Sequence, residues 1–266
     1  MISDLHLDSN HQDAHTVARQ QAVYLQQQQV GVYLIAGDIT NHFSRSLAFT
    51  QDLQRQLAPA RVKFVAGNHD MVHDISYAGL ESPQGPTYLH RGYLDVPGTN
   101  WRIIGNNGWY DYLFADNLTD RNFLTWKRAF WVDAAITQPM TDPERMDEVL
   151  AQVEEQLWAA QQAGKRVLFI THFVPRRDYI KITDDDRFWN MANALLGSPR
   201  LGDLLTKYHV AITQFGHVHR HFAPRHLAGT TYYDQAVGYR NKRFNEWSQP
   251  DYMTEWQQRL RILDLK

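Results

Sequence analysis

The segment GVYLIAGD, residues 31–38, decides the fold of this chain. Its apolar run, Gly31–Ala36, is followed by a glycine and an aspartate, Gly37 and Asp38. This pattern predicts a buried strand followed by a tight turn. Helical patterns flank this strand at Gln12–Gln29 and Ser44–Leu57. A second apolar run at Val62–Ala66 predicts the next strand.

Together with a short strand before Asp4, these segments form a predicted βαβαβ unit. Such alternation implies parallel strands joined by right-handed crossovers. Side chains that follow the strands should then gather at their carboxyl ends, where ligands bind in open α/β sheets.

The remainder of the chain carries a further set of predicted elements. The predicted strands are Tyr93–Val96, Trp101–Gly105, Arg166–Thr171, Val210–Phe215, Thr230–Val237 and Arg259–Leu263. The predicted helices are Thr119–Ala134, Asp142–Ala163 and Leu201–Tyr208. Asp142 is expected to cap the second of these helices, with Pro143 at its first position.

The middle of the chain differs in composition from the rest. Eight aromatic residues fall between Trp109 and Trp131, a density that suggests a packed or ligand-facing surface. We interpret residues 107–165, approximately, as a helical insertion that roofs a pocket within a single domain spanning residues 1–266. Only Met1 and Ile2 precede Ser3, so we expect either an unusually short first strand or a few native residues missing before it.

Composition limits the classes of function. The 266 residues include no cysteine, so any metal must use nitrogen and oxygen ligands, and the chain is compatible with a reducing cytoplasm. The formal net charge of -2, without a long basic cluster, argues against a grip on long nucleic acid. The chain contains neither an apolar run of membrane-spanning length nor a signal-peptide pattern. We therefore expect a soluble cytoplasmic protein, without a membrane partner, that acts on a small substrate.

Five polar clusters fall where predicted strands end. They are Asp4-Leu5-His6, Gly37-Asp38, Gly67-Asn68-His69-Asp70, Thr171-His172 and Gly216-His217-Val218-His219. Asp38 follows Asp4 by 34 residues and Asn68 follows Asp38 by 30, each close to one βαβ period. A lone histidine is usually a core or surface residue, but coincidence at five strand ends favours a site. Carboxylate, amide and imidazole groups suit manganese, iron or zinc.

In this order, the clusters resemble the complete signature of the calcineurin-like metallophosphoesterases, which residues 4–219 carry. The resemblance implies an α/β fold of two packed mixed β-sheets flanked by helices, a four-layer α/β/β/α sandwich. It also implies two divalent or trivalent metal ions, manganese, iron or zinc. Asp4, His6 and His219 would hold one ion. Asn68, His172 and His217 would hold the other, with Asp38 bridging both.

The implied reaction is hydrolysis of a phosphodiester or small phosphomonoester by a metal-bound hydroxide. His69 matches the family histidine that protonates the leaving oxygen or stabilises the phosphoryl charge. Asn41 stands where relatives often place a residue that orients this histidine, although a turn-forming asparagine is equally consistent with the sequence. Asp70 is expected to hydrogen-bond locally or cap the next helix.

Four further residues are candidate substrate contacts. Arg176 and Arg177 closely follow His172, so a guanidinium could reach a phosphate or a second anionic group. Trp109 and Tyr110 could stack on a base or ring. The alternatives are surface charges for the arginines and core packing for the aromatic residues.

Two other functions remain open on the sequence alone. One is a nuclease, which should have a basic groove. The other is a catalytically silent, metal-binding scaffold for protein interactions, which retention of His69 and all seven ligands argues against. Ile39-Thr40-Asn41-His42 replaces the arginine that a protein phosphatase usually carries shortly after the bridging aspartate.

Overall fold

A computed structural model describes residues 1–118, 121–184 and 187–265 of the chain. The helices are α1 (Ala14–Gln27), α2 (Phe43–Leu57), α3 (Asn68–Met71), α4 (Tyr77–Leu80), α5 (Phe123–Phe130), α6 (Asp142–Gln162), α7 (Arg187–Ala192), α8 (Pro199–Lys207) and α9 (Tyr252–Arg259). The strands are β1 (Val32–Ala36), β2 (Arg61–Val65), β3 (Gly92–Asp95), β4 (Trp101–Gly105), β5 (Arg166–Ile170), β6 (Ile212–Phe215), β7 (Arg225–Leu227) and β8 (Thr230–Asp234). Short 3-10 helices occupy Leu113–Ala115, Val132–Ala135, Arg177–Tyr179 and Asn193–Leu195.

The strands form two sheets. Strands β1 and β2 pair in parallel, and six strands form a mixed sheet in the order β3-β4-β5-β6-β8-β7. The pairs β4–β5, β5–β6 and β6–β8 are parallel, whereas β3 and β7 run antiparallel at the two edges. The polar segments after β1, β2, β5 and β6 therefore leave the carboxyl ends of parallel strands, as the sequence predicts.

The first residues of the chain connect the two sheets. Ile2 bridges to Ile35 of β1, and Ser3 bridges to Ala236 just beyond β8. The predicted first strand is thus reduced to these two bridging residues, which still deliver Asp4 to the same edge as Asp38.

Side-chain alternation on the strands separates two apolar cores. Leu34 and Val65 face Ile103, Leu168 and other residues of the larger sheet, which places one core between the sheets. The opposite faces of the strands pack against the helices in the second core. The predicted architecture of two mixed sheets flanked by helices is confirmed. No helix among the described residues combines the length and apolar character needed to cross a bilayer.

Two further predicted elements differ from the structure. The strand predicted at Arg259–Leu263 is wrong, because α9 continues to Arg259 and residues 260–265 form no strand, although Arg261 exchanges backbone hydrogen bonds with Met1. The helix predicted at Thr119–Ala134 is shortened to α5 because Trp131 is extended, with φ -120° and ψ 138°. Residues 119 and 120 of that prediction lie outside the described residues.

The cap of α6 also differs from the prediction. Thr141 is the N-cap, and it forms a capping box with Glu144. The carboxylate of Asp142 turns inward instead and accepts hydrogen bonds from Trp109, Lys127 and other donors.

Asp70 holds together the loops that follow β1 and β2. Its buried carboxylate accepts hydrogen bonds from the backbone N–H groups of Asp38, Ile39 and Thr40, at 2.7–3.2 Å. It also accepts the N–H of Gly67 at 2.8 Å and the hydroxyl of Ser46 at 2.6 Å. Burial nevertheless raises the pKa of Asp70 to about 6, and the five donors offset part of the cost of burying the charge.

We expect Asp70→Ala to lower the free energy of unfolding by about 3–5 kcal/mol, because several buried donors lose their acceptor. Urea denaturation would measure the loss. Asp147→Ala is the matched control, since this carboxylate on α6 is 60% exposed and its pair with Arg200 is a surface ion pair, worth less than about 1 kcal/mol. Equal stabilities of the two variants would contradict the assignment.

Candidate metal centre

Five of the seven predicted ligand residues adopt an unusual backbone conformation. Asp4, His6, Asp38, His217 and His219 all have positive φ, between 44° and 75°. Such left-handed conformations cost non-glycine residues of order 1–3 kcal/mol each and persist where surrounding contacts enforce them. Here they turn the side chains out of the strand direction and towards one another.

Two glycines allow the loops to approach closely. A Cβ on Gly67 would lie 2.1 Å from Oδ1 of Asp38, and one on Gly216 would lie 2.5 Å from Oδ2 of Asp4. Neither glycine has positive φ, so close approach, rather than a left-handed backbone, requires glycine at these two positions.

The first group of acceptor atoms contains Asp4, His6, Asp38 and His219, whose potential ligand atoms all lie within 4.8 Å of one another. Nε2 of His219 lies 3.0 Å from Oδ1 of Asp4 and 3.1 Å from Nε2 of His6. Nδ1 of His219 lies 2.9 Å from Oε2 of Glu246, on the outer side of the ring.

The second group contains Asp38, His172 and His217, again within 4.8 Å, with Asn68 beside them. Nδ1 of His172 donates to the Ala36 carbonyl at 2.8 Å, so its Nε2 carries a lone pair. That nitrogen lies 3.0 Å from Oδ1 of Asn68, 3.2 Å from Nδ1 of His217 and 3.4 Å from Oδ2 of Asp38.

All four of these atoms are hydrogen-bond acceptors: Nε2 of His172, Oδ1 of Asn68, Nδ1 of His217 and Oδ2 of Asp38. Nε2 of His217 faces the Leu195 carbonyl at 3.3 Å, which leaves the lone pair on its Nδ1. The amide nitrogen of Asn68 donates to Asp133, which leaves Oδ1 directed at His172. Four atoms with free lone pairs around one point, three of them on buried residues, fit a cation, and the mixture of nitrogen and oxygen suits a transition metal or zinc.

The electrostatics at three of the four predicted histidine ligands agree with cation binding, whereas Asp4 and Glu246 outweigh burial and raise the pKa of His219. Burial lowers the pKa of His6, His172 and His217, which keeps these imidazoles in the neutral form that coordinates metals. Burial, together with the neighbouring carboxylates of Asp4 and Asp70, raises the pKa of Asp38 well above its usual range. A metal ion would relieve this repulsion between carboxylates.

His69 lies beside the cluster and is held at both ring nitrogens. Nδ1 lies 2.6 Å from Oδ1 of Asn41, so the sequence-predicted partner does contact the ring. Because an amide oxygen only accepts, Nδ1 carries the hydrogen and Nε2 carries the lone pair. Nε2 lies 3.0 Å from the hydroxyl of Tyr239. Burial lowers the pKa of His69 to about 4.

Two carboxylates that sequence reasoning missed contact predicted ligands. Asp133, fully buried in a 3-10 helix, accepts the Asn68 amide at 2.7 Å. Glu246 faces His219 at 2.9 Å and accepts the backbone N–H of Tyr239 at 2.7 Å. Neither stands in a recognisable motif, so only proximity in the fold reveals them. Contacts of this kind orient metal ligands.

A cavity of about 640 Å³ opens over the cluster. Its floor includes Asp38, Asn68, His69, His217 and His219. Its walls are largely apolar and comprise Trp131, Val132, Phe188, Trp189, Leu196, Val218, Tyr239 and Phe244. Arg220 and Glu246 complete the lining.

The four candidate substrate contacts lie elsewhere. Trp109 and Tyr110 are fully buried and stack on each other with ring centroids 4.5 Å apart, so neither exposes a face to a ligand. Nε of Arg176 donates to Asp178 at 2.8 Å, and Arg177 binds Asp116 and the Leu113 carbonyl. Both arginines are absent from the cavity lining, so the geometry supports structural roles for all four.

Comparison with known families identifies the chain. A sequence model described as calcineurin-like phosphoesterase matches residues 1–221. The chain belongs to this family. No curated protein sequence matches it well enough to count as a relative.

Solved structures support the same fold. A phosphopantetheinyl hydrolase from Mycobacterium tuberculosis aligns with a TM-score of 0.67 at 18% identity, covering 97% of this chain and 90% of that one. A dimetal phosphatase from Danio rerio gives 0.52 at 13% identity, with 88% and 85% covered. GAP50, the anchor in the inner membrane complex of Plasmodium, gives 0.51 at 11% identity, with 89% and 70% covered.

Membership of this phosphoesterase family makes the chain a metal-dependent phosphoric ester hydrolase. The family uses divalent metals, and the two acceptor groups that share Asp38 are candidate sites for them. The division into two groups agrees with the ligand sets that the resemblance implies, and the assignment of individual ligands stays a prediction.

Asp133→Ala should weaken one metal site and spare the other, because the Asn68 amide would lose the acceptor that orients it. We expect the affinity of that site to fall about 10- to 100-fold, measured by competition with a chromogenic chelator. Asp116→Ala is the control, since its carboxylate is 59% exposed and pairs with Arg177 at the surface. Equal weakening of both sites would contradict this role.

Proposed function

We propose that this chain is a cytoplasmic, dinuclear phosphoesterase that hydrolyses a phosphodiester or a small phosphomonoester. The observation that carries the proposal is the convergence of two groups of acceptor atoms on the shared carboxylate of Asp38, with His69 beside them on the cavity floor. Asp4, His6 and His219 would hold one ion; Asn68, His172 and His217 would hold the other. Manganese, iron and zinc suit these ligands.

Two such ions, when bound, would activate water as the nucleophile and neutralise phosphate charge. The remaining roles, which are to hold the phosphoryl group and to transfer a proton, would fall to residues of the chain. The phosphoryl group would lie on the polar floor, where Nε2 of His69 faces the cavity and Asn41 prevents the ring from rotating. In its imidazolium form, with a second proton on Nε2, His69 would be placed to protonate the leaving oxygen or to stabilise charge on the phosphoryl group.

The cavity walls favour a small ester with an aromatic organic group. Phe188, Trp189 and Phe244 line the cavity and remain about half exposed, at 46%, 46% and 55%. Aromatic side chains in such positions offer faces and edges on which a ring can pack, worth about 0.5–1.5 kcal/mol for each contact. An exposed cation, Arg220, lies beside them and suits an anionic substituent.

The same lining argues against a nuclease. Apart from histidines, Arg220 is the one cationic side chain among the described residues that line the cavity. A nucleic-acid backbone requires several phosphate contacts along a groove.

The scaffold alternative is also disfavoured, because the His69–Asn41 contact has a purpose in catalysis that a scaffold would not need.

Metal removal and His69→Ala test the reaction. We expect about two metal ions per chain, hydrolysis of bis(4-nitrophenyl) phosphate or 4-nitrophenyl phosphate that a chelator abolishes, and recovery on addition of manganese, iron or zinc. His69→Ala should keep both metals and lose about 10²- to 10⁴-fold in kcat. Asp38→Ala should lose metal, as elemental analysis would detect.

His15→Ala is the control histidine, since its ring is 75% exposed and pairs with Asp52 on the surface. Undiminished turnover in His69→Ala protein would end the catalytic assignment. A protein that binds two metals and hydrolyses neither ester would instead favour the scaffold.

The aromatic walls predict a preference between matched substrates. Phe188→Ala should raise KM about 2- to 10-fold for a benzyl phosphodiester, because an aromatic contact is lost. The same change should leave KM unchanged for dimethyl phosphate, which has no aromatic group. Trp158→Ala is the control, since this ring on α6 is 56% exposed outside the cavity lining. An equal effect on both esters would refute aromatic recognition at Phe188.

A further inference from the structure

Tyr239 lies between the first acceptor group and His69. It comes five residues after β8 and directly after Gly238, which has φ +76°. Its backbone N–H donates to Oε2 of Glu246, the same oxygen that faces His219. A Cβ on Gly238 would lie 2.5 Å from that oxygen, so the backbone here packs closely against Glu246, the carboxylate that contacts the predicted ligand His219.

The side chain of Tyr239 contacts two histidines of the site. Its ring stacks on His6, with centroids 4.1 Å apart and planes inclined by 29°. Its hydroxyl lies 3.0 Å from Nε2 of His69. Because the hydrogen of the neutral imidazole lies on Nδ1, towards Asn41, the tyrosine hydroxyl is the donor in this contact.

The hydroxyl is also available to a ligand. Tyr239 lines the cavity above the acceptor groups, and it carries the one hydroxyl among the described lining residues. Rotation about the C–O bond redirects the hydrogen from His69 to another acceptor without moving the ring, which the stack on His6 holds in place. A neutral donor fixed in this way needs no reorganisation when negative charge develops beside it.

Resting on the proposed phosphoesterase function, we propose that Tyr239 is a catalytic residue whose hydroxyl hydrogen-bonds an oxygen of the bound phosphoryl group beside His69. In the free protein this hydroxyl donates to His69, and bound substrate takes over the hydrogen bond. The Asn41 contact continues to fix the imidazole after the exchange. Tyr239 thereby acts on the substrate directly as well as contacting His69.

Tyr239→Phe tests this role because it keeps the ring and removes only the hydroxyl. We expect both metals to remain bound and kcat for bis(4-nitrophenyl) phosphate to fall about 10²-fold, as for loss of one donor to a developing oxyanion. Inhibition by orthovanadate should weaken more than inhibition by inorganic phosphate, because the hydrogen bond strengthens towards the transition state. Tyr179→Phe, a buried tyrosine outside the cavity, should leave all three measurements unchanged.

A double-mutant cycle with His69→Ala separates direct contact from an effect through His69. If the hydroxyl touches the substrate, Tyr239→Phe should still lower kcat several-fold in the His69→Ala background. No further loss there would make Tyr239 a positioning residue of His69 and overturn the proposal. So would Tyr239→Phe activity within about 2-fold of the unmodified protein, since a lost oxyanion donor costs much more.

Failure of the proposed function has a different signature. The unmodified protein, loaded with both metals, would then hydrolyse neither ester, and the catalytic role of Tyr239 would fall with it. Turnover in the unmodified protein combined with unchanged Tyr239→Phe kinetics would overturn only the role of Tyr239.

Discussion

The hydrogen bonds to the buried Asp70 carboxylate are the interaction on which the rest of the site depends. They join the backbone after β1, from Asp38 to Thr40, to Gly67 at the end of β2. The two loops are held so closely that the N–H of His69 donates to Oδ1 of Asp38. A left-handed backbone at Asp38 persists because these surrounding bonds enforce it. The shared acceptor and the catalytic candidate thus depend on one carboxylate that itself lies outside both acceptor groups.

Carboxylates also connect the cavity over the cluster to the acceptor groups. Asp133 binds Asn68 and directly follows Trp131 and Val132, which line one part of the cavity. Glu246 faces His219 and holds the backbone of Tyr239, which lines another part. The same short segments therefore contact predicted ligands and shape the cavity. A change in either segment would therefore reach a predicted metal ligand, Asn68 or His219, through one hydrogen bond.

Much of the fold could be predicted because the βαβ period has a direct sequence signal. Apolar runs such as Gly31–Ala36 predict strands, and their topology brings the polar residues that follow to one edge. Prediction was wrong at Arg259–Leu263, where the end of α9 and the backbone hydrogen bonds of Arg261 to Met1 replace the expected strand. It overextended the helix through Trp131, because propensity does not report the tertiary contacts that end a helix.

The sequence by itself determined which residues could form the centre, because strand ends, residue types and spacing are local properties. It did not distinguish a ring that packs in the core from one that faces a ligand, and Trp109 stacks on Tyr110 in the interior. Only the tertiary structure placed Asp133 against Asn68 and Tyr239 against His69, over 65 and 170 residues of chain. Such contacts have no sequence period, since loop closure rather than secondary structure brings their partners together.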